Sequence, residues 1–187
     1  MNSINRQRLD RCRSLTPGFA LIVLVLLLAG CSADGYTVTG KPTITAKQID
    51  NILCVAHSPA CGTGADLYRL GVKYDIDPVY ALAWFNQEST FGTAGIARVT
   101  LSLGNIRCTY GYRCIEGYRA YQSYRTSYED WYQLIAHQYV AQWKLTTVAA
   151  ILDRYAPQSE NDTSSYASNV EQSVDTWRSE AVGGKTA

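Results

Sequence analysis

Glu88 stands where a carboxyl group can keep its proton near neutral pH. Ala81, Trp84, Phe85 and Glu88 are spaced at i, i+3, i+4 and i+7, so on a helix the carboxylate falls in line with an aromatic, core-facing stripe. An ionised glutamate is costly to bury, and contact with Trp84 and Phe85 raises its pKa. A general acid needs that property. On the spacing alone a solvated helix-end glutamate, which is what most glutamates are, is the better account. Among the other titratable groups, Glu129 and Asp130 follow Ser127 and Tyr128 in a pattern like a capping box, so a helix N-terminus accounts for them. His57 and His137 have no nucleophilic serine or cysteine beside them to make a hydrolase triad, and no phosphate-cradling glycine loop is present.

The elements that must position Glu88 are legible as helices around one irregular segment. Asp77 can cap a helix N-terminus and Pro78 suits its first position, while Ser89, Thr90 and Gly92 break the helix and leave Glu88 at an open end facing a cleft. Upstream, Thr45 caps a helix over 46–56 with Ile49, Ile52 and Leu53 on one side, and a second follows over 65–74. Between 93 and 124, glycines at 95, 104, 111 and 117 punctuate tyrosine-rich pieces, which predicts loops and a small hairpin with a strand over 117–121. A long helix over 128–142 turns Trp131, Leu134 and Ile135 inward, a shorter one over 147–155 stops before Pro157, and Tyr166, Val170, Val174 and Trp177 line the last. The expected class is α+β, mainly helical, with a small β-hairpin beside the cleft.

The first residues read as an address. Arg6, Arg8, Arg11 and Arg13 precede an apolar run over 19–29 that is short of the roughly 20 residues a spanning helix needs. Leu28-Ala29-Gly30-Cys31 then has the order of a lipobox, so residues 1–30 are expected to be a lipoprotein signal peptide and Cys31 the lipidated N-terminus. This predicts an exported chain anchored to the cell membrane through lipid; in a diderm host, Ser32 in place of aspartate directs it to the periplasmic face of the outer membrane. Residues 31–43 read as a tether, 44–180 as one domain and 181–187 as a flexible tail.

With Cys12 in the leader and Cys31 lipidated, Cys54, Cys61, Cys108 and Cys114 remain, and an exported compartment favours disulfides. Four cysteines allow three pairings; proximity favours Cys54 with Cys61 and Cys108 with Cys114. Their spacings are not those of a zinc site, so no metal is expected, and nothing calls for a cofactor. The formal net charge of +1 argues against a dedicated nucleic-acid binder. Wall polymer or protein is left as the partner.

Three ordered segments carry a resemblance. Glu88-Ser89-Thr90-Phe91-Gly92, then Gly104-Asn105-Ile106-Arg107, then Tyr121-Gln122-Ser123 entering a helix together resemble the glucosaminidase-type peptidoglycan hydrolases of the lysozyme-like superfamily (mannosyl-glycoprotein endo-β-N-acetylglucosaminidase-like), over roughly residues 64–177. The resemblance implies a lysozyme-like domain that cleaves β-1,4 bonds in peptidoglycan or another GlcNAc-containing glycan, with Glu88 as proton donor. Glu116, just before the expected strand, lies in the region where such enzymes place a second acid. If no second acid serves, a neighbouring acetamido group on the sugar can assist, as in lytic transglycosylases with a single glutamate; a non-catalytic wall-binding lipoprotein is the alternative of another class. Asn105 is expected to bond an N-acetyl group or brace the loop beneath Glu88, and Arg107 to meet a lactyl or peptide carboxylate or to hold the loop. Sugar rings offer C–H faces that pack on aromatic rings, so from the chain's 14 tyrosines Tyr110, Tyr118 and Tyr121 are assigned to the groove.

Overall fold

A computed structural model describes residues 35–159 and 162–183. The expected leader, Cys31, where lipidation is expected, and the last four residues lie outside the described residues. Seven α-helices, a π-helical stretch and one two-stranded antiparallel sheet make up the described part, a mainly helical α+β arrangement. Among the described residues no helix is long and apolar enough to cross a membrane.

Helix α1 (Ala46–Val55) starts at Thr45, whose hydroxyl accepts from Gln48 N while the Gln48 side chain accepts from Thr45 N, so two otherwise orphaned donors are satisfied. Helix α2 (Gly64–Tyr74) packs on it. Helix α3 (Pro78–Ser89) is the central rod. Asp77 caps it by accepting from Val79 N at 3.2 Å, Pro78 occupies its first turn, and its residues from Pro78 to Phe85 are all buried. The expected one-sided stripe is therefore too narrow: a helix apolar on every side is one that neighbours surround. Helix α4 (Ala97–Thr100) is a single turn in the irregular segment.

The hairpin pairs β1 (Cys114–Ile115) with β2 (Tyr118–Arg119), Cys114 opposite Arg119 and Ile115 opposite Tyr118. Glu116 and Gly117 both have positive φ, 48° and 82°, which is the two-residue turn whose twist matches that of the strands it joins. The strand expected over 117–121 is thus shorter. The cysteines pair Cys54 with Cys61 and Cys108 with Cys114, the second bond closing the loop that leads into the hairpin.

Helix α5 (Tyr124–Gln133) begins four residues before the expected start. Ser123, not Ser127, is the cap: its hydroxyl accepts from Thr126 N at 3.2 Å, and Ser127 is buried within the helix. Glu129 and Asp130 consequently do not sit at a helix N-terminus. Glu129 instead pairs with Lys73 and accepts from Tyr74 Oη at 3.1 Å, and Asp130 pairs with Arg119 at 2.8 Å. The chain continues without a break into a π-helical stretch (Leu134–Gln142), so the expected α-helix over 128–142 is two helices of different pitch. Helix α6 (Val148–Tyr155) follows its cap Thr147, and α7 (Thr163–Gly183) closes the domain by packing on both α3 and α6.

The expected tether is partly structural. Val38 and Ile44 are each 1% exposed; Val38 N donates to Thr146 O and Val38 O accepts from Asp77 N, which ties residues 37–39 to the loop before α6 and to the start of α3. Val38 is a single buried apolar residue among polar ones, too little for periodicity to register.

Candidate active site

The last turn of α3 ends in a strained elbow. Thr90, Phe91 and Gly92 all have positive φ, at 48°, 54° and 83°, and for the β-branched Thr90 this is a rarely occupied region. Side chains hold it there. Ser89 Oγ donates to Leu103 O at 2.8 Å and accepts from Gly92 N at 2.9 Å, while Ser58 Oγ donates to Phe91 O at 2.7 Å. The elbow turns the chain away so that Glu88 borders a cleft, and the segment 102–107 returns beneath it.

That cleft has a volume of about 340 Å³. Glu88, Asn105 and Ile106 line it from α3 and the segment 102–107; Arg107, Thr109, Tyr118 and Arg119 come from the hairpin side, and Leu134, Gln138, Tyr139, Arg154 and Tyr155 from the π-helical stretch and α6. Glu88 is the one carboxylate among the described residues that line it.

The Glu88 carboxyl is gripped from two sides. Tyr166 Oη, reaching over from α7, donates to Oε1 at 2.6 Å, and Asn105 Nδ2 donates to the Glu88 carbonyl at 2.7 Å and approaches Oε2 at 3.4 Å. Burial pushes the carboxyl above its ordinary pKa, and the two hydrogen bonds and the positive charge of Arg107 pull the other way without cancelling it. Its place in the last helical turn, at the negative end of the helix dipole, acts in the same sense as burial. Behind it, Trp84 contacts Trp131, Tyr155 and Tyr166 with ring centroids 5.9, 5.9 and 6.1 Å apart, so the acid rests on a packed aromatic wall. Tyr155 donates to Gly104 O, which fixes the segment carrying Asn105. Gly104 has to be glycine: a Cβ there would lie 2.7 Å from Trp131 Cδ1 and 3.0 Å from Tyr155 Oη. The result is a carboxyl with a raised pKa and a fixed orientation beside an open groove, an arrangement suited to a general acid.

The structure brings Glu88, Asn105, Arg107 and Tyr118 to one cleft. Asn105 braces Glu88. Arg107 pairs with Tyr118 in a backbone bridge, and its guanidinium lies 4.9 Å from the Tyr118 ring centroid. Other expected residues are elsewhere. Glu116 is exposed at the hairpin turn and outside the cleft lining, because the turn that a Glu-Gly pair makes points away from the sheet. Tyr110 is fully exposed on the Cys108–Cys114 loop. Tyr121 donates to Asp130, which also accepts from Tyr112 at 2.9 Å and pairs with Arg119; the cluster braces the hairpin against α5. No group of carboxylate, histidine or cysteine residues suited to a metal occurs among the described residues.

Tyr166, Tyr155, Gln138, Tyr139 and Arg154 were not evident from spacing. Tyr166 reads as one more member of the apolar stripe of α7, and the hint is only its hydroxyl, which a purely packing position does not need. Compared with known proteins, the chain matches no family model and no curated sequence.

Proposed function

We propose that this chain cleaves the β-1,4 bonds of peptidoglycan glycan strands, with Glu88 as proton donor. The observation that carries the reading is a part-buried carboxyl, its pKa raised by desolvation, held by Tyr166 and Asn105 in the lining of a groove sized for part of a sugar chain. In the reaction the Glu88 proton passes to the leaving O4 as the C1–O4 bond breaks and positive charge develops at C1 and the ring oxygen. The resulting carboxylate then accepts a proton from the attacking group.

That group decides between two courses. Because Glu88 is the one carboxylate among the described lining residues, the single-glutamate course is favoured: the acetamido oxygen assists at C1, the C6 hydroxyl of the same sugar attacks and gives its proton to Glu88, and a 1,6-anhydro end forms. A two-carboxylate glucosaminidase would need a second acid, and the exposed position of Glu116 gives that course less support. A mainly helical domain with a two-stranded hairpin flanking the cleft is in keeping with a lysozyme-like fold. Export and lipid attachment at Cys31 belong to the same proposal and would place the domain next to the wall.

Digestion of purified sacculi followed by mass analysis of the products tests it. Anhydro-MurNAc ends support the single-glutamate course, new GlcNAc reducing ends the hydrolase, and no products a non-catalytic wall-binding protein. Glu88→Gln should lose activity by roughly 100- to 10,000-fold, the usual contribution of a general acid. Full activity in that variant would refute the assignment.

A further inference from the structure

The charge on the cleft is unequal. Three arginines line it against one carboxylate, and the three are not equivalent. Arg119 is neutralised by Asp130 at 2.8 Å and nearly buried, with its guanidinium stacked 3.7 Å from the Tyr112 ring centroid; it is committed to bracing the hairpin. Arg107 lies beside Glu88, whose ionisation it influences. Arg154, in the last turn of α6, is different. Its guanidinium lies over Trp143 at 4.8 Å from the ring centroid, and among the described residues it has neither a carboxylate partner nor a hydrogen bond. Stacking occupies the face of a guanidinium and leaves its in-plane N–H donors available for a planar, bidentate acceptor.

The π-helical stretch adds a second group. Bonding from i to i+5 widens the helix, and Leu134, Gln138 and Tyr139 all reach the cleft from it. The Gln138 amide makes no hydrogen bond with any described residue. Trp143, directly after this stretch, contacts Tyr139 with centroids 4.9 Å apart, so the surface on which Arg154 rests is itself fixed by packing. A charged donor and an amide on the wall formed by the π-helical stretch and α6 suit an anionic acceptor with an adjacent polar group.

We propose that Arg154, with Gln138, forms a carboxylate-recognising subsite that makes the cleft selective for acid-bearing N-acetyl glycan strands over neutral ones. This rests on the reading of Glu88 as the reactive end of the same groove and names the feature of the substrate the groove selects. The carboxylate has two sources in wall polymer, the lactyl group of a peptide-free strand or the stem peptide; the chemistry recognised is the same.

Binding measured in the full chain carrying Glu88→Gln, which does not turn over, isolates the subsite from the reaction. The probes are peptide-free glycan strands, peptide-bearing strands, and each of these after amidation of its carboxylates. Adding Arg154→Gln should weaken binding of acid-bearing strands about ten-fold, the loss expected for one charge-assisted pair. Amidation should cost the arginine-bearing protein a similar factor, and the two changes together should cost little more than either alone, because both remove one interaction. Coupling with peptide-free strands assigns the lactyl carboxylate and coupling with peptide-bearing strands assigns the stem, and either supports the proposal. Fully additive losses, no loss from either change, or no binding of any strand overturns it. Intact cleavage of sacculi without coupling would refute the subsite alone, whereas coupling without cleavage would refute the role given to Glu88.

Discussion

Tyr166→Phe removes one hydroxyl and keeps the ring, and its effect on the pH profile has a sign that distinguishes the proposed mechanism from general damage. Tyr166 Oη donates to Glu88 Oε1 at 2.6 Å, and Tyr166 is 7% exposed, so solvent does little to weaken this bond. Its donation favours the ionised carboxylate, against the upward push of burial. A hydrogen bond to a charged group is worth on the order of 1.5–3 kcal/mol, and 1.36 kcal/mol is a factor of ten, so its loss should weaken the acid by roughly ten-fold or more.

A proton donor works only while protonated. Its rate falls as pH rises through its pKa, and Tyr166→Phe should therefore move the alkaline limb of kcat/KM to higher pH while lowering the plateau, since a weaker, less firmly held acid transfers its proton more slowly. The assay is the pH dependence of sacculus digestion, accompanied by carboxyl-carbon NMR titration of Glu88 and by thermal melting to show that the ring still packs on Trp84. A limb that stays in place, or moves to lower pH, would refute the assignment of Glu88 as donor and Tyr166 as its partner.

Glu88→Gln should raise the melting temperature at pH 8 while destroying activity. The folded-state pKa of Glu88 lies above the unfolded value of about 4.3, so the parent loses stability as pH rises through the folded pKa; the amide has no such loss, and the two proteins should melt together near pH 3. Gly104→Ala should destabilise the fold by roughly 1–3 kcal/mol, read as a lower denaturation midpoint, because its methyl group would enter the space of Trp131 and Tyr155. An unchanged midpoint would mean that the 104–107 segment is free to shift.

How much of this was legible in the chain depended on whether the signal was local. Thr45 and Asp77 announced their helices because a cap is a contact between residues a few positions apart. Both disulfides follow the same logic, joining cysteines seven and six positions apart. Glu88 was legible for a different reason, as a carboxylate in register with Trp84 and Phe85. What escaped was non-local. Ser127 and Ser123 both offer plausible caps, and the choice of Ser123 fits the packing that buries Tyr128 and Trp131 and pairs Asp130 with Arg119. Glu116 lies close to the cleft segments in sequence, but a two-residue turn carries it to the exposed tip of the hairpin. Tyr166 is 78 positions from the carboxyl it holds, and no local pattern encodes such a distance.

The costs in the structure gather at one place. A part-buried carboxyl raised in pKa by desolvation and the consecutive left-handed residues Thr90 and Phe91 each oppose folding, the backbone strain by about 1–3 kcal/mol per residue. Neither persists unless surrounding contacts over-determine it. Here they do: Phe91 is 4% exposed, Ser58 and Ser89 each satisfy a carbonyl around the elbow, and α3 is buried by neighbours on every side. The strain and the acid are also geometrically linked. An ordinary continuation of α3 would place another helical turn over Glu88 and cover it, whereas the left-handed elbow ends the helix one residue after the carboxyl and lets the 102–107 segment pass beneath, carrying Asn105 to its side. A chain selected only for stability would fill this position with an apolar residue and extend the helix. Keeping a carboxyl with a raised pKa at the open end of a heavily buried helix is what the proposed role of Glu88 as proton donor to the cleft would require.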